Sequence, residues 1–187
     1  MASIVRSVEQ SIVREPMSLD EFFALDVELI ELVDGQPVRM SAATGPHQIA
    51  AFRLARLLDD ACRPGVVVLP SPIDWVLWEL PRATVRQPDV AVVTVEQGRA
   101  ARLTEPPVLV VEVLSPSSVE RDLVAKRRDY AKAGCEHYWI VNLAVPEIVV
   151  LTRRDGEFIE TARAVGDATV ELSMPFPLRL RAADLVL

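Results

Sequence analysis

Residues 106–116 read "PPVLVVEVLSP": an apolar, β-branched run bounded by a proline pair and a Ser-Pro, with one carboxylate, Glu112, set into it. Such a run, apolar on both faces, is the signature of a central strand covered on each side. An ionised carboxylate there is costly unless a cation or hydrogen-bond donors meet it, so the strand itself demands a partner for Glu112. The plainer alternative is a rim glutamate paired with some arginine.

The segment that follows, "SSVERDLVAKRRDYAKAG", has the pattern of a helix, with a capping box at Ser117 and Glu120 and a C-terminal stop at Gly134. At helical spacing Val119, Leu123, Lys126 and Tyr130 share one face, so Lys126 lies inside an apolar stripe that must pack back on the sheet. The competing reading is a solvated Asp122–Lys126 pair, with the long side chain leaving the stripe for water. Among the 20 Lys and Arg residues only Lys126 and Lys132 are lysines, and both fall on this helix. Tyr130 reads as core.

Upstream, "RQPDVAVV" opens a second strand with Asp89 at its mouth, a position where an aspartate is more often a turn residue. Paired with Glu112 on a neighbouring strand, it makes two hard oxygen ligands of the kind Mg²⁺ takes, with the remaining positions left to water and phosphate. "MSLDEFFAL" carries another capping box, Ser18 with Glu21, and predicts a short helix. "ELIELVDGQPVRM" places Asp34-Gly35 between strand-like runs and predicts a hairpin; in it Leu29 and Val33 flank Glu31 on one face and favour an inward direction for it. Pro46 to Cys62 is helical, "GVVVL" and "IDWVLW" are strands, and "HYWIVNL" and "EIVVLT" follow the Lys126 helix as two more. The rest reads as edge strands and a terminal segment. The order is mixed α/β, with a strand–helix–strand crossover over residues 108–143.

Composition bounds the function. With 187 residues, 50% hydrophobic and 25% charged, the chain is expected to fold as one domain over 1–187. A net charge of −7 argues against coating nucleic acid by overall electrostatics, so such a substrate needs a local patch, for which Arg121, Arg127, Arg128 and Lys132 are candidates. No apolar run reaches bilayer length and no signal-peptide core is legible, so a cytoplasmic protein without a membrane partner is expected. Cys62 and Cys135, without CxxC or zinc spacing, read as reduced thiols. Trp75, Trp78 and Trp139 suit a core or an interface equally. Serine hydrolysis lacks the GxSxG elbow and phosphate-loop chemistry lacks GxxxxGK[ST].

"ELVDGQPVRMS", His47, "QPDVAVV", "VLVVEVLSPSS" and "DLVAKRRDYAKAGCEHYWIVNL" together resemble the Uma family of restriction-endonuclease-like proteins, within the PD-(D/E)XK nuclease superfamily; the resemblance covers about residues 17–151. It implies a mixed sheet flanked by helices, with an N-terminal hairpin, and divalent-metal-dependent cleavage of phosphodiester bonds. By position, Asp89 resembles the Asp of "PD" and Glu112 the acidic residue of the second half-motif. Leu114 stands where the parent pattern has lysine, and Lys126 resembles the lysine this family carries on the following helix. The resemblance further implies Mg²⁺ or Mn²⁺ on Asp89 and Glu112 with the main-chain carbonyl of Val113 as an added ligand, Lys126 assisting the attacking water, and Glu31 as an additional acidic residue that orients that water or recruits a second ion. His47 matches a frequent family position at a helix start. DNA as substrate and a homodimer are expected, the alternative being an inactive nuclease fold used for binding or assembly.

Overall fold

The computed structural model describes residues 15–25, 27, 29–115 and 121–187. Ser18 caps the first helix, α1 (Leu19–Phe23), in a full capping box with Glu21. Strands β1 (Ile30–Val33) and β2 (Gln36–Arg39) form the Asp34-Gly35 hairpin. Both turn residues have positive φ, 49° and 75°, the two-residue geometry whose twist matches that of paired strands. Helix α2 (Gly45–Ala61) starts on a Thr44 cap with Pro46 in its first turn, where a missing N–H costs nothing.

Next come β3 (Val66–Pro70), β4 (Trp75–Trp78), β5 (Thr84–Arg86), β6 (Val90–Thr94) and, after a 3₁₀ turn, β7 (Leu109–Val113). A π-helical stretch, Arg121–Lys126, runs into α3 (Arg127–Lys132), and Gly134 closes the helix at φ 93°. Strands β8 (His137–Asn142), β9 (Glu147–Arg154), β10 (Glu157–Val165), β11 (Thr169–Leu172) and β12 (Leu178–Arg181) complete the chain with a 3₁₀ turn at Ala182–Leu185. The Ser117–Glu120 cap and Val119 lie outside the described residues. The architecture is mixed α+β, as the sequence predicts.

The main sheet has the order β10-β9-β8-β7-β6-β3 and is antiparallel except where β7 and β8 run parallel across the helical crossover. Strand β7 is central and buried along its whole length. Period-2 alternation splits it between two cores. Val111 and Val113 join Val92, Trp139 and α2 residues such as Leu54 and Leu58 on one face, while Val110 joins Ala91, Tyr138, Tyr130 and Trp75 on the other. Glu112 has the parity of Val110, which sends its carboxylate toward α3.

A smaller sheet, β2-β1-β5-β4, carries its own apolar cluster of Leu32, Val85, Phe22 and Ala83. Leu32 pairs with Val85, so one step along the same register Glu31 faces Arg86 on the opposite side of that sheet. Strands β11 and β12 make a separate ribbon. Trp75 and Trp139 are core, whereas Trp78 is half-buried under the Lys132 ammonium, 4.2 Å from its ring centroid. Both cysteines are free thiols. Among the described residues no helix is long and apolar enough to cross a membrane.

Candidate active site

Glu112 is buried, and its Oε1 accepts from Lys126 Nζ at 2.8 Å and from the Tyr130 hydroxyl at 2.6 Å. Lys126 is 2% exposed, which excludes the solvated reading, and its Nζ also lies 3.3 Å from Glu31 Oε1. Lys126 and Tyr130, the members of the helix stripe whose side chains are described, thus return to the sheet, although Lys126 ends a π-helical stretch and not an α-helical one. Wide turns of this kind are frequent at functional sites. Burial, with the negative charges of Glu112 and Glu31 behind it, holds the Tyr130 phenol protonated far above its ordinary range. It is therefore both a core residue, stacked on Trp75 with ring centroids 5.1 Å apart, and a hydrogen-bond donor to Glu112.

Asp89 precedes β6. The β6–β7 register pairs Val90 with Val111, and carried one residue further it sets Asp89 opposite Glu112. The Val113 N–H donates to Asp89 Oδ2 at 2.7 Å, and His47 Nε2 of α2 lies 3.2 Å from the same oxygen. Both contacts fall on Oδ2, so Oδ1 is the oxygen Asp89 can offer to a ligand. Asp89, Glu112, Val113, Lys126 and His47 line one cavity of about 570 Å³. Among the described residues its outer wall is apolar or neutral, with Met40, Phe52 and Pro70 in the lining and no guanidinium.

Glu31 is fully buried. Of the two neighbours expected to draw it inward, Val33 is half-buried and Leu29 is 42% exposed, at φ 56°. What holds Glu31 inside is charge. Its Oε2 accepts from Arg86 Nη1 at 2.9 Å, and its Oε1 accepts the Gln87 N–H at 3.1 Å besides facing Lys126. Burial alone would raise its pKa, but Lys126 and Arg86 outweigh that and lower it. Arg86 in turn donates through Nη2 to Asp129 Oδ2 of α3 at 2.6 Å. Arg86 and Asp129 are the members of this network that the sequence reading did not single out. The only signal for Arg86 was its place three residues before Asp89.

Of the basic residues proposed as a patch, Arg127 donates to the Phe158 carbonyl, the largely exposed Arg128 reaches Asp129, and Lys132 covers Trp78, while the Arg121 side chain lies outside the described residues. Among the described residues no group of three or more His, Cys, Asp and Glu side chains forms a metal cluster. The carboxylates of Asp89 and Glu112 that line the cavity are fewer than such a cluster, and a pair of hard oxygen donors fits an ion that keeps several waters and leans on substrate phosphate. Three buried carboxylates, Glu31, Glu112 and Asp129, meet Arg86 and Lys126, with Arg128 also reaching Asp129, and Asp89 adds a fourth carboxylate beside His47.

A crystal structure described as "a putative nuclease belonging to DUF820", from Anabaena variabilis ATCC 29413, superposes with a TM-score of 0.71 at 18% sequence identity, over 91% of this chain and 97% of that one. No curated protein matches the chain. Residues 19–184 match the family Uma2, described as "Putative restriction endonuclease", and with nearly the whole length so covered the chain belongs to this restriction-endonuclease-like nuclease family.

Proposed function

We propose that the protein is a divalent-metal-dependent endonuclease that hydrolyses phosphodiester bonds of DNA. The observation that carries this reading is the Lys126 ammonium, buried against Glu112 at 2.8 Å beside a cavity that Asp89 also lines. Asp89, Glu112 and the Val113 carbonyl would hold Mg²⁺ or Mn²⁺. When bound, such an ion neutralises charge on the scissile phosphate and makes water a better nucleophile near neutral pH. Lys126, set between two carboxylates, orients the attacking water and stabilises negative charge as it develops. Tyr130 fixes the rotamer of Glu112, and His47 with the Val113 N–H fixes that of Asp89. Glu31 positions Lys126, since both of its oxygens already have partners. Cutting both strands calls for two such sites, and a homodimer supplies them.

The net charge of −7 favours a second reading, a nuclease fold kept for binding or assembly. Plasmid nicking by purified protein separates the two. The enzyme reading expects cleavage with Mg²⁺, none with chelator, and loss of at least about a hundredfold in Asp89→Asn, Glu112→Gln and Lys126→Met, each acting on transition-state charge. Cleavage that persists in all three variants rejects the assignment, and its absence from the wild type favours the binding module.

A further inference from the structure

We propose that Arg86, gripped by Asp129, is a positioning residue that fixes Lys126 through Glu31; this rests on the nuclease reading for its consequence in turnover. Arg86 stands in β5 of the smaller sheet, Glu31 in the adjacent β1, and Lys126 and Asp129 on the helical crossover of the main sheet. The contacts form one chain. Asp129 Oδ2 accepts from Arg86 Nη2 at 2.6 Å, Glu31 Oε2 accepts from Arg86 Nη1 at 2.9 Å, Glu31 Oε1 faces Lys126 Nζ at 3.3 Å, and Lys126 reaches Glu112 at 2.8 Å. Each prong of the guanidinium thus takes one carboxylate from one element, a fork that an ammonium cannot reproduce.

Stability alone does not account for such a group. A buried ionic cluster is usually no better for folding than apolar residues of the same volume. What the fork does achieve is geometric. Without Arg86, Glu31 keeps a full charge answered only by Lys126 and one N–H, and the ammonium is drawn from Glu112 toward β1. The contact between Lys126 and Glu112 is then set by competition and not by the frame.

The chain has only two lysines, so ¹⁵N-labelled lysine gives two side-chain ammonium signals, with Lys132 as internal control. In full-length Arg86→Gln the Lys126 signal is expected to shift and broaden while that of Lys132 stays in place. Asp129→Asn, which keeps the shape and weakens one prong, moves the same signal less and is the variant to use if Arg86→Gln does not fold. In the nicking assay, below the melting temperature of each variant, kcat falls about tenfold for Arg86→Gln and a few-fold for Asp129→Asn, as expected for loosening charge-assisted contacts. KM for plasmid stays within about twofold, because neither residue is among those lining the cavity. A purely structural role moves the melting temperature but neither the Lys126 signal nor kcat. An unchanged Lys126 signal overturns the proposal, as does an unchanged kcat in an active enzyme. Failure of the wild type to cleave would count against the nuclease reading alone, and the ammonium spectrum would still decide the clamp.

Discussion

Replacing Tyr130 with phenylalanine isolates one contact in the buried network. The ring keeps its stack on Trp75 at 5.1 Å and its edge contact with Tyr138 at 5.3 Å, so no cavity larger than a hydroxyl forms. What goes is the 2.6 Å donation to Glu112 Oε1 between two buried groups. A hydrogen bond to a charged acceptor contributes about 1.5–3 kcal/mol, and Lys126 still serves the same oxygen, so a loss of about 2 kcal/mol is expected. For a chain of this length that lowers the melting temperature by about 4–8 °C. Urea titration and calorimetry at pH 7 without divalent ions measure it. The alkaline limb offers a second readout. Burial, then Glu112 and Glu31, raise the Tyr130 phenol in the folded state well above 10, so its contribution is complete below about pH 10 and is lost as pH climbs beyond that value. The wild type should lose stability above pH 10 more steeply than the Phe variant. A destabilisation under about 0.5 kcal/mol together with identical alkaline slopes would refute the reasoning, since neutral surface changes alone produce effects of that size.

Glu31→Gln removes the carboxylate between Lys126 and Arg86 and is expected to cost about 3 kcal/mol at neutral pH. Because the folded-state pKa of Glu31 lies below its ordinary 4.5, its contribution is present above that value and is lost as pH falls through the folded one; urea midpoints from pH 7 to pH 3 should therefore fall less steeply in the variant. Gly35→Ala strains a turn residue at φ 75° and puts a methyl 2.5 Å from the Pro16 Cβ, so a loss of about 1–3 kcal/mol in denaturant titration is expected. Burial pushes the Cys135 thiol up to about 12, so with a thiol reagent at pH 8 Cys62 should react first and Cys135 only as the protein unfolds; rapid labelling of both thiols in the native state would contradict this.

The lysine and the central carboxylate were legible because each broke a period: Glu112 interrupts a strand apolar on both faces, and Lys126 interrupts a helical stripe. The hairpin and the first capping box were legible because their chemistry is local. Arg86 was not, since its strand is three residues long and its partner Glu31 lies 55 positions away, joined through a pairing that no local pattern announces. The burial of Glu31 was anticipated from Leu29 and Val33, yet Leu29 stands exposed and the inward pull comes from two cations supplied by other elements. The π-helical stretch had no sequence signal, because its register is set by where the helix docks and not by helix propensity. The carboxylate pair at residues 89 and 112 was the middle case: each strand was recognised, but their adjacency is a property of the sheet order.

The contacts around Lys126 join elements of both sheets, so the candidate catalytic centre is also the seam of the molecule. A lineage that abandoned catalysis could not simply erase one of these side chains, since a lone orphaned charge at the seam would loosen the two halves. Decay should instead proceed by concerted replacement, with Glu31, Arg86, Lys126 and Asp129 giving way together to greasy residues of matching bulk. The joint survival of all four in a relative would mark a centre still under selection, and their joint disappearance one that has been retired.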